Sequence, residues 1–142
     1  IGESAFHGCH NLKEFKGKFA ADNGRCLING DTIVAYAEGS GNEYIIPNNV
    51  TSIGDYAFYW CYNLESVTIP DSVTKIGQSA FNSCHKLKYV YCESSTPPSI
   101  GLYGGEFSNN ASGRKFYVPQ GSVDDYIDSW SYYASSIVGY DF

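Results

Sequence analysis

Apolar positions recur at a fixed interval in the stretch Ile53–Val90. Ile53, Ala57, Phe58, Cys61, Leu64 and Val67 return as Ile76, Ala80, Phe81, Cys84, Leu87 and Val90, each 23 residues on. Pro47 and Pro70 keep the same interval. A constant period with apolar residues at fixed places is the pattern of stacked turns, each burying its apolar side only against the next. Within one period, Ala-Phe-x-x-Cys-x-x-Leu mixes three- and four-residue spacing and predicts a short helical turn facing inward. Val67-Thr68-Ile69 alternates and is β-rich, which predicts a strand that Pro70 ends. Val73 and Ile76 predict a second short strand or extended bend. The expected architecture is an α+β solenoid of short strands and helical turns.

The remainder of the chain is placed by that period. Ile1-Gly2-Glu3-Ser4-Ala5-Phe6 aligns with Ile53-Gly54-Asp55-Tyr56-Ala57-Phe58, and Cys9, Leu12 and Phe15 align with Cys61, Leu64 and Val67. The offset is 52, one period plus an insertion of 29. Residues 1–17 are thus a partial repeat, and a start in mid-repeat reads as a piece of a longer chain. The edge of that first turn, Ala5, Phe6 and Leu12, is expected to be partly exposed, and frayed or covered by a neighbouring molecule. Residues 18–43 are the insertion. Asn29-Gly30 between Cys26-Leu27-Ile28 and the apolar run Thr32–Ala37 predicts a β-hairpin laid beside the solenoid as a brace. Residues 44–66 and 67–92 are the next repeats.

The period breaks over 93–114, where Ser94, Ser95, Pro97, Pro98, Gly101, Gly104 and Gly105 are loop chemistry. Phe116-Tyr117-Val118-Pro119 predicts a strand. Ser122 is placed to N-cap a helix, with Asp124 and Asp125 in its first turn. Val123, Tyr126, Ile127 and Trp130 form its apolar stripe, which Tyr133, Ala134 and Ile137 nearly continue. Residues 93–142 are read as a C-terminal cap closed by this helix.

Composition narrows the function. The 142 residues make one domain with a net charge of −6 and a pI near 4.8. An acidic chain without a basic stripe argues against nucleic acid and against anionic membrane surfaces. No run reaches the ~18 apolar residues of a membrane span. Thirteen tyrosines need either a core or a binding surface. Cys9, Cys61 and Cys84 share one repeat position, so they would stack at the ~4.8 Å strand spacing with parallel side chains. That is poor disulfide geometry, and reduced, buried thiols are expected. Cys26 and Cys92 lie outside the ladder, and a bridge between them would need a contact between distant segments. Without paired Cys-x-x-Cys spacing no zinc site is expected, and no cofactor is implied.

Chemistry of the catalytic kind is missing from the pattern. His10 and His85 share a repeat position with Tyr62 between them. No Gly-x-Ser-x-Gly motif occurs, and Gly101–Gly105 lacks the lysine and helix of a phosphate loop. The strand face is more informative. With Val67 and Ile69 inward, Ser66 and Thr68 point out. In the same register Ile45, Thr68, Tyr91 and Tyr117 form one outward row, and Glu43, Ser66, Tyr89 and Lys115 form another. Ser66, Thr68, Tyr89, Tyr91, Lys115 and Tyr117 are therefore the candidate ligand surface, with tyrosine supplying rigid amphipathic contact area. A cap helix or hairpin folded over the tyrosines would remove that surface.

The motif Ile-Gly-x-x-Ala-Phe-x-x-Cys-x-x-Leu-x-x-Val-x-Ile-Pro-x-x-Val, met at 53–73 and again at 76–92 with Cys92 before the loop, resembles the BspA-like leucine-rich repeats of bacterial surface proteins. The end, Tyr117-Val118-Pro119-x-Gly121-Ser122-Val123-x-x-Tyr126 with Trp130, is similar to their terminal cap. The resemblance implies an exported, surface-associated, non-enzymatic protein. Some members are described as adhesins for host matrix proteins or other bacteria. No set of binding residues defines the family, so none is carried over. Asp31-Thr32-Ile33 and Asp71-Ser72-Val73 also resemble an O-glycosylation acceptor motif of some gut bacteria. The expected function is recognition or adhesion of a protein partner. The alternatives are a glycan-binding module using Tyr89, Tyr91 and Tyr117, and a spacer displaying another domain.

Overall fold

The computed structural model describes residues 4–142. The alignment of Ile1-Gly2-Glu3 with a later repeat lies outside the described residues. In chain order come β1 (Ala20–Ala21), β2 (Cys26–Asn29), β3 (Thr32–Tyr36), β4 (Glu43–Ile45) and β5 (Ser52–Ile53). They are followed by β6 (Ser66–Ile69), β7 (Lys75–Ile76), β8 (Tyr89–Cys92), β9 (Lys115–Pro119), α1 (Val123–Ser129) and β10 (Ile137–Tyr140).

The strands form two sheets. One has the order β10-β9-β8-β6-β4, and every pairing in it is parallel. The other has the order β1-β2-β3-β5-β7, antiparallel among the first three strands and parallel from β3 onward. The parallel registers follow the sequence period: Val67 lies opposite Val90, Ser66 opposite Tyr89, and Ile53 opposite Ile76. Strands 23 residues apart meet this way because successive turns lie one on the next. Inward residues of the long sheet, Val67, Ile69, Val90, Cys92, Phe116 and Val118, are buried in one continuous core.

A column of rings runs through that core. Tyr36 stacks on Phe58, Phe58 on Phe81 and Phe81 on Phe107, at centroid separations of 5.2, 4.7 and 5.0 Å. These match the ~4.8 Å strand spacing. The two outer rings correct the sequence reading. Tyr36 belongs to the insertion and takes the place beside Phe58 that the period assigned to Phe6. Phe6 instead packs edge-on against Phe15 at 5.0 Å, at the margin of a second small core of Phe15, Leu27, Ala35 and Ala37. Cys9 is consequently exposed rather than buried, whereas Cys61 and Cys84 are buried as expected. The 3₁₀ turn Glu38–Ser40 helps hold this arrangement. Glu38, itself buried, accepts from the backbone N–H groups of Tyr62 and Asn63 and meets His10 Nδ1 at 2.5 Å.

Phe107 comes from the stretch expected as loop. The letters break there, but the stack does not. Phe81 N–H donates to the Glu106 carbonyl and Ser83 N–H to that of Ser108, repeating Phe58 to Ala80 and Trp60 to Asn82 one turn earlier. Phe107 follows Phe81 by 26 residues, so three extra residues are absorbed before it. Asn110 stands in the column of Cys61 and Cys84, and its Nδ2 donates to the Phe81 carbonyl at 2.8 Å.

The expected helical turns are tight reversals instead. Tyr56, Trp60, Ser79 and Ser83 have φ of 58°, 61°, 52° and 61°, and a left-handed residue interrupts a right-handed helix. The freed N–H groups of Tyr56, Phe58 and Trp60 donate across to the carbonyls of Gln78, Ala80 and Asn82. β2 and β3 pair antiparallel across a turn whose central residues are Gly30-Asp31 rather than Asn29-Gly30, since Asn29 lies opposite Thr32. Gly30, at φ +65°, supplies the positive φ that the first central position of such a turn needs.

The C-terminal helix is shorter than its stripe predicts. Ser122 flanks it but makes no capping hydrogen bond, and α1 ends at Ser129. Tyr133 and Ala134 lie in a 3₁₀ turn, and Ile137 opens β10, which pairs with β9. Buried polar tips fix this region. Trp130 Nε1 donates to the Pro98 carbonyl at 2.9 Å, Tyr126 Oη to that of Ser94 at 3.0 Å, and Tyr133 Oη to that of Gly104. All five cysteines are free, Cys26 and Cys92 included.

Candidate functional site

Alternation along β6, β8 and β9 decides what the long sheet shows outside. Val67, Val90, Cys92, Phe116 and Val118 turn in, which leaves Ser66, Thr68, Tyr89, Tyr91, Lys115 and Tyr117 on the other face. The registers place Ser66, Tyr89 and Lys115 in one row and Thr68, Tyr91 and Tyr117 in the next. Glu43 and Ile45 of β4 extend the two rows. Helix α1 does not lie over them, because its C-terminal neighbour Trp130 packs against Phe116 on the inner side of β9. The hairpin belongs to the other sheet.

The tyrosines touch one another. Tyr91 and Tyr117 stack at 4.9 Å and 20°, while Tyr89 and Tyr117 stack at 6.4 Å. Three further apolar side chains join them from β10 and the residues after it. Val138 lies opposite Tyr117 in the parallel ladder. Tyr140 meets Tyr91 edge-on at 5.4 Å and Tyr117 at 5.7 Å, and Phe142 lies 4.9 Å from Tyr140. These three were missed because Ile137 was assigned to a continued helix. The β-branched and aromatic residues of Ile137-Val138-Gly139-Tyr140 are the signal that marks a strand. The Tyr91 phenol is pushed above its ordinary pKa, by burial first and then by the hydroxyls of Tyr117 and Tyr140.

Both signs of charge stand on this face, with Glu43 in the same row as Tyr89 and Lys115. At the Tyr89 end stand Lys115 and Lys88, whose Nζ lies 5.6 Å from the Tyr89 ring. At the other end, a shallow depression beside Tyr140 and Phe142 is lined by Asp71, Glu93 and Asp141. Elsewhere His10, Tyr62 and His85 form the column their spacing indicated, with centroids 6.0 and 5.4 Å apart. Ser72 Oγ donates to the Val50 carbonyl at 2.7 Å. Among the described residues no group of three His, Cys, Asp or Glu could hold a metal ion, and no helix is long and apolar enough to cross a membrane.

The family model described as BspA type Leucine rich repeat region (6 copies) matches residues 34–142. The chain belongs to the BspA-type leucine-rich repeat family. The match begins inside β3, so the leucine-rich repeat region takes in Tyr36, the ring that stands in the core column. A leucine rich cell surface protein from Faecalibacterium prausnitzii A2-165 superposes with a TM-score of 0.50 at 23% identity, over 84% of this chain and 38% of its own. At that identity the likeness concerns the fold. A leucine-rich repeat protein from Bacteroides capillosus ATCC 29799 gives 0.41 at 21% identity, over 66% of this chain and 98% of its own. No curated protein matches the chain.

Proposed function

We propose that this chain is a non-enzymatic recognition module of solenoid form, displayed at a bacterial cell surface, that binds a protein partner on the outer face of its parallel sheet. The in-register stacking supports the solenoid, with the hairpin bracing one end and α1 with β10 closing the other. Membership of the leucine-rich repeat family supports a binding scaffold, and the Faecalibacterium likeness supports surface display. The observation that carries the reading is the continuous group of Tyr89, Tyr91, Tyr117, Tyr140 and Phe142 across three adjacent strands and the chain end. Exposed aromatic clusters of this kind are the energetic centres of protein interfaces.

A protein partner fits this face better than a glycan does. A sugar ring needs an open aromatic face, and the central ring of this group, Tyr117, is stacked with both Tyr89 and Tyr91. Their edges and hydroxyls remain, framed by Ser66, Thr68 and Lys115. The test is surface plasmon resonance against a panel of extracellular-matrix proteins, with the Tyr91→Ala/Tyr117→Ala variant beside the parent chain. Binding to a panel member that falls by about tenfold or more in the variant is expected. Undiminished binding would move recognition off this face, and no binding at all would return the chain to the spacer reading.

A further inference from the structure

A second aromatic surface lies away from the sheet, on the tight turn after β5. Tyr56, Tyr59 and Trp60 come from one five-residue stretch. Tyr59, half-buried, and the exposed Trp60 are nearly parallel at 11° with centroids 6.0 Å apart, an offset stack. Tyr56 meets Tyr59 edge-on at 5.5 Å. His7, one turn earlier, meets Tyr59 at 5.5 Å and Trp60 at 6.3 Å. Trp60 remains 43% exposed, whereas the chain's other tryptophan, Trp130, is 1% exposed.

Neither core packing nor backbone preference accounts for these side chains. Tyr56 and Trp60 both occupy left-handed positions, at φ of 58° and 61°. Bulky residues adopt that conformation at a cost, and glycine does not. The matching positions of neighbouring turns hold small residues: Ser4 and Ser79 for Tyr56, Gly8 and Ser83 for Trp60. A Cβ built on Gly8 would meet nothing within 4 Å, so no packing demand sets the size of the residue at that position of the first turn. The turn thus displays two large rings where the fold favours small ones.

The chemistry around the rings is largely polar, and the Asp55 carboxylate next to Tyr56 accepts from the Gln78 N–H at 2.7 Å. Residues 56–64 contain no Lys, Arg, Asp or Glu, and neither do 79–85 in the next turn. Asn82, whose carbonyl accepts from the Trp60 N–H, and Asn109 supply amide groups there, with Asn109 Nδ2 donating to Asn82 Oδ1 at 3.5 Å. An exposed aromatic face bordered by amides matches the C–H face and the hydroxyl rim of a pyranose. We propose that Trp60 and Tyr59 form a binding platform for a neutral saccharide, separate from the sheet face and independent of what binds there.

Isothermal titration with cellohexaose, maltohexaose and mannohexaose tests this. At least one hexaose should bind saturably and shift the emission of the exposed Trp60. Trp60→Gly should weaken that binding by about tenfold or more. Its melting temperature should be unchanged or raised, because glycine suits the left-handed position. Tyr59→Ala should weaken binding as well, and Tyr91→Ala on the sheet face should leave it intact. The proposal is overturned if no hexaose binds, if Trp60→Gly binds as tightly as the parent, or if the affinity depends on Tyr91 instead.

Discussion

Phe58, Cys61 and Leu64 are buried; Phe6, Cys9 and Leu12 carry the same letters at the same spacing, yet Cys9 is exposed and the other two are half-buried. The difference lies in their neighbours. Phe58 is sandwiched between Tyr36 and Phe81, and Cys61 lies beneath the turn whose N–H groups Glu38 holds. Phe6 finds only Phe15 and the small core around it, because the hairpin has taken its place in the column. A period states which residues are able to stack. Which ones do is decided by what lies next to them.

Core truncation should separate the two regions most strongly. Leu64→Ala and Leu87→Ala should each cost about 2–5 kcal/mol in urea melts, since both side chains are fully buried. Leu12→Ala should cost about 1 kcal/mol or less, because the half-buried side chain loses only part of its transfer energy. Equal losses at the three positions would show the first turn to be packed like the others.

The link between the regions can be cut next. Glu38→Ala strips the acceptor from the N–H groups of Tyr62 and Asn63 and should cost about 1–3 kcal/mol. His10→Ala should cost at most about 1 kcal/mol, because the histidine side chain is 45% exposed and its contact with Glu38 is screened by solvent. If the two variants lose the same amount, the His10 contact rather than the backbone contact joins hairpin and repeat.

Alkali should act on the buried region. Burial raises the thiols of Cys61 and Cys92 above the ordinary 9.0, and the Tyr133 phenol from 10.0 to about 12. Above about pH 9 the unfolded chain loses protons that the folded chain keeps, so stability falls as pH rises. The urea midpoint should be steady near neutrality and decline from about pH 9 upward. A midpoint that rises through this range would contradict the burial of these groups. The smallest effect is expected at Thr68→Ala on the outer face, within about 0.5 kcal/mol.

Much of this was legible in the letters. The 23-residue spacing set the parallel registers of β6 with β8 and β5 with β7, and with them the face shared by Ser66, Thr68, Tyr89 and Tyr91. What escaped depends on contacts between distant segments. Nothing local to Tyr36 marks it as the substitute for Phe6. Phe107 was hidden because glycines and prolines around it read as loop, although its backbone bonds repeat those of the turn before. The helical stripe ran on past Ser129 because Tyr133 and Ile137 are also buried, one in a 3₁₀ turn and the other in a strand. Trp60 could have been noticed by aligning it with Gly8 and Ser83, but the left-handed backbone that gives the alignment meaning is visible only in three dimensions.

Native thiol labelling resolved by peptide mass spectrometry puts the contrast between the turns to its most direct test. With a small maleimide at neutral pH, Cys9 should be modified rapidly, while Cys26, Cys61, Cys84 and Cys92 should react only after denaturation. Labelling of Cys61 and Cys84 as fast as Cys9 would mean that these turns do not stack, and protection of Cys9 to the level of Cys84 would mean that the first turn has kept its place in the column.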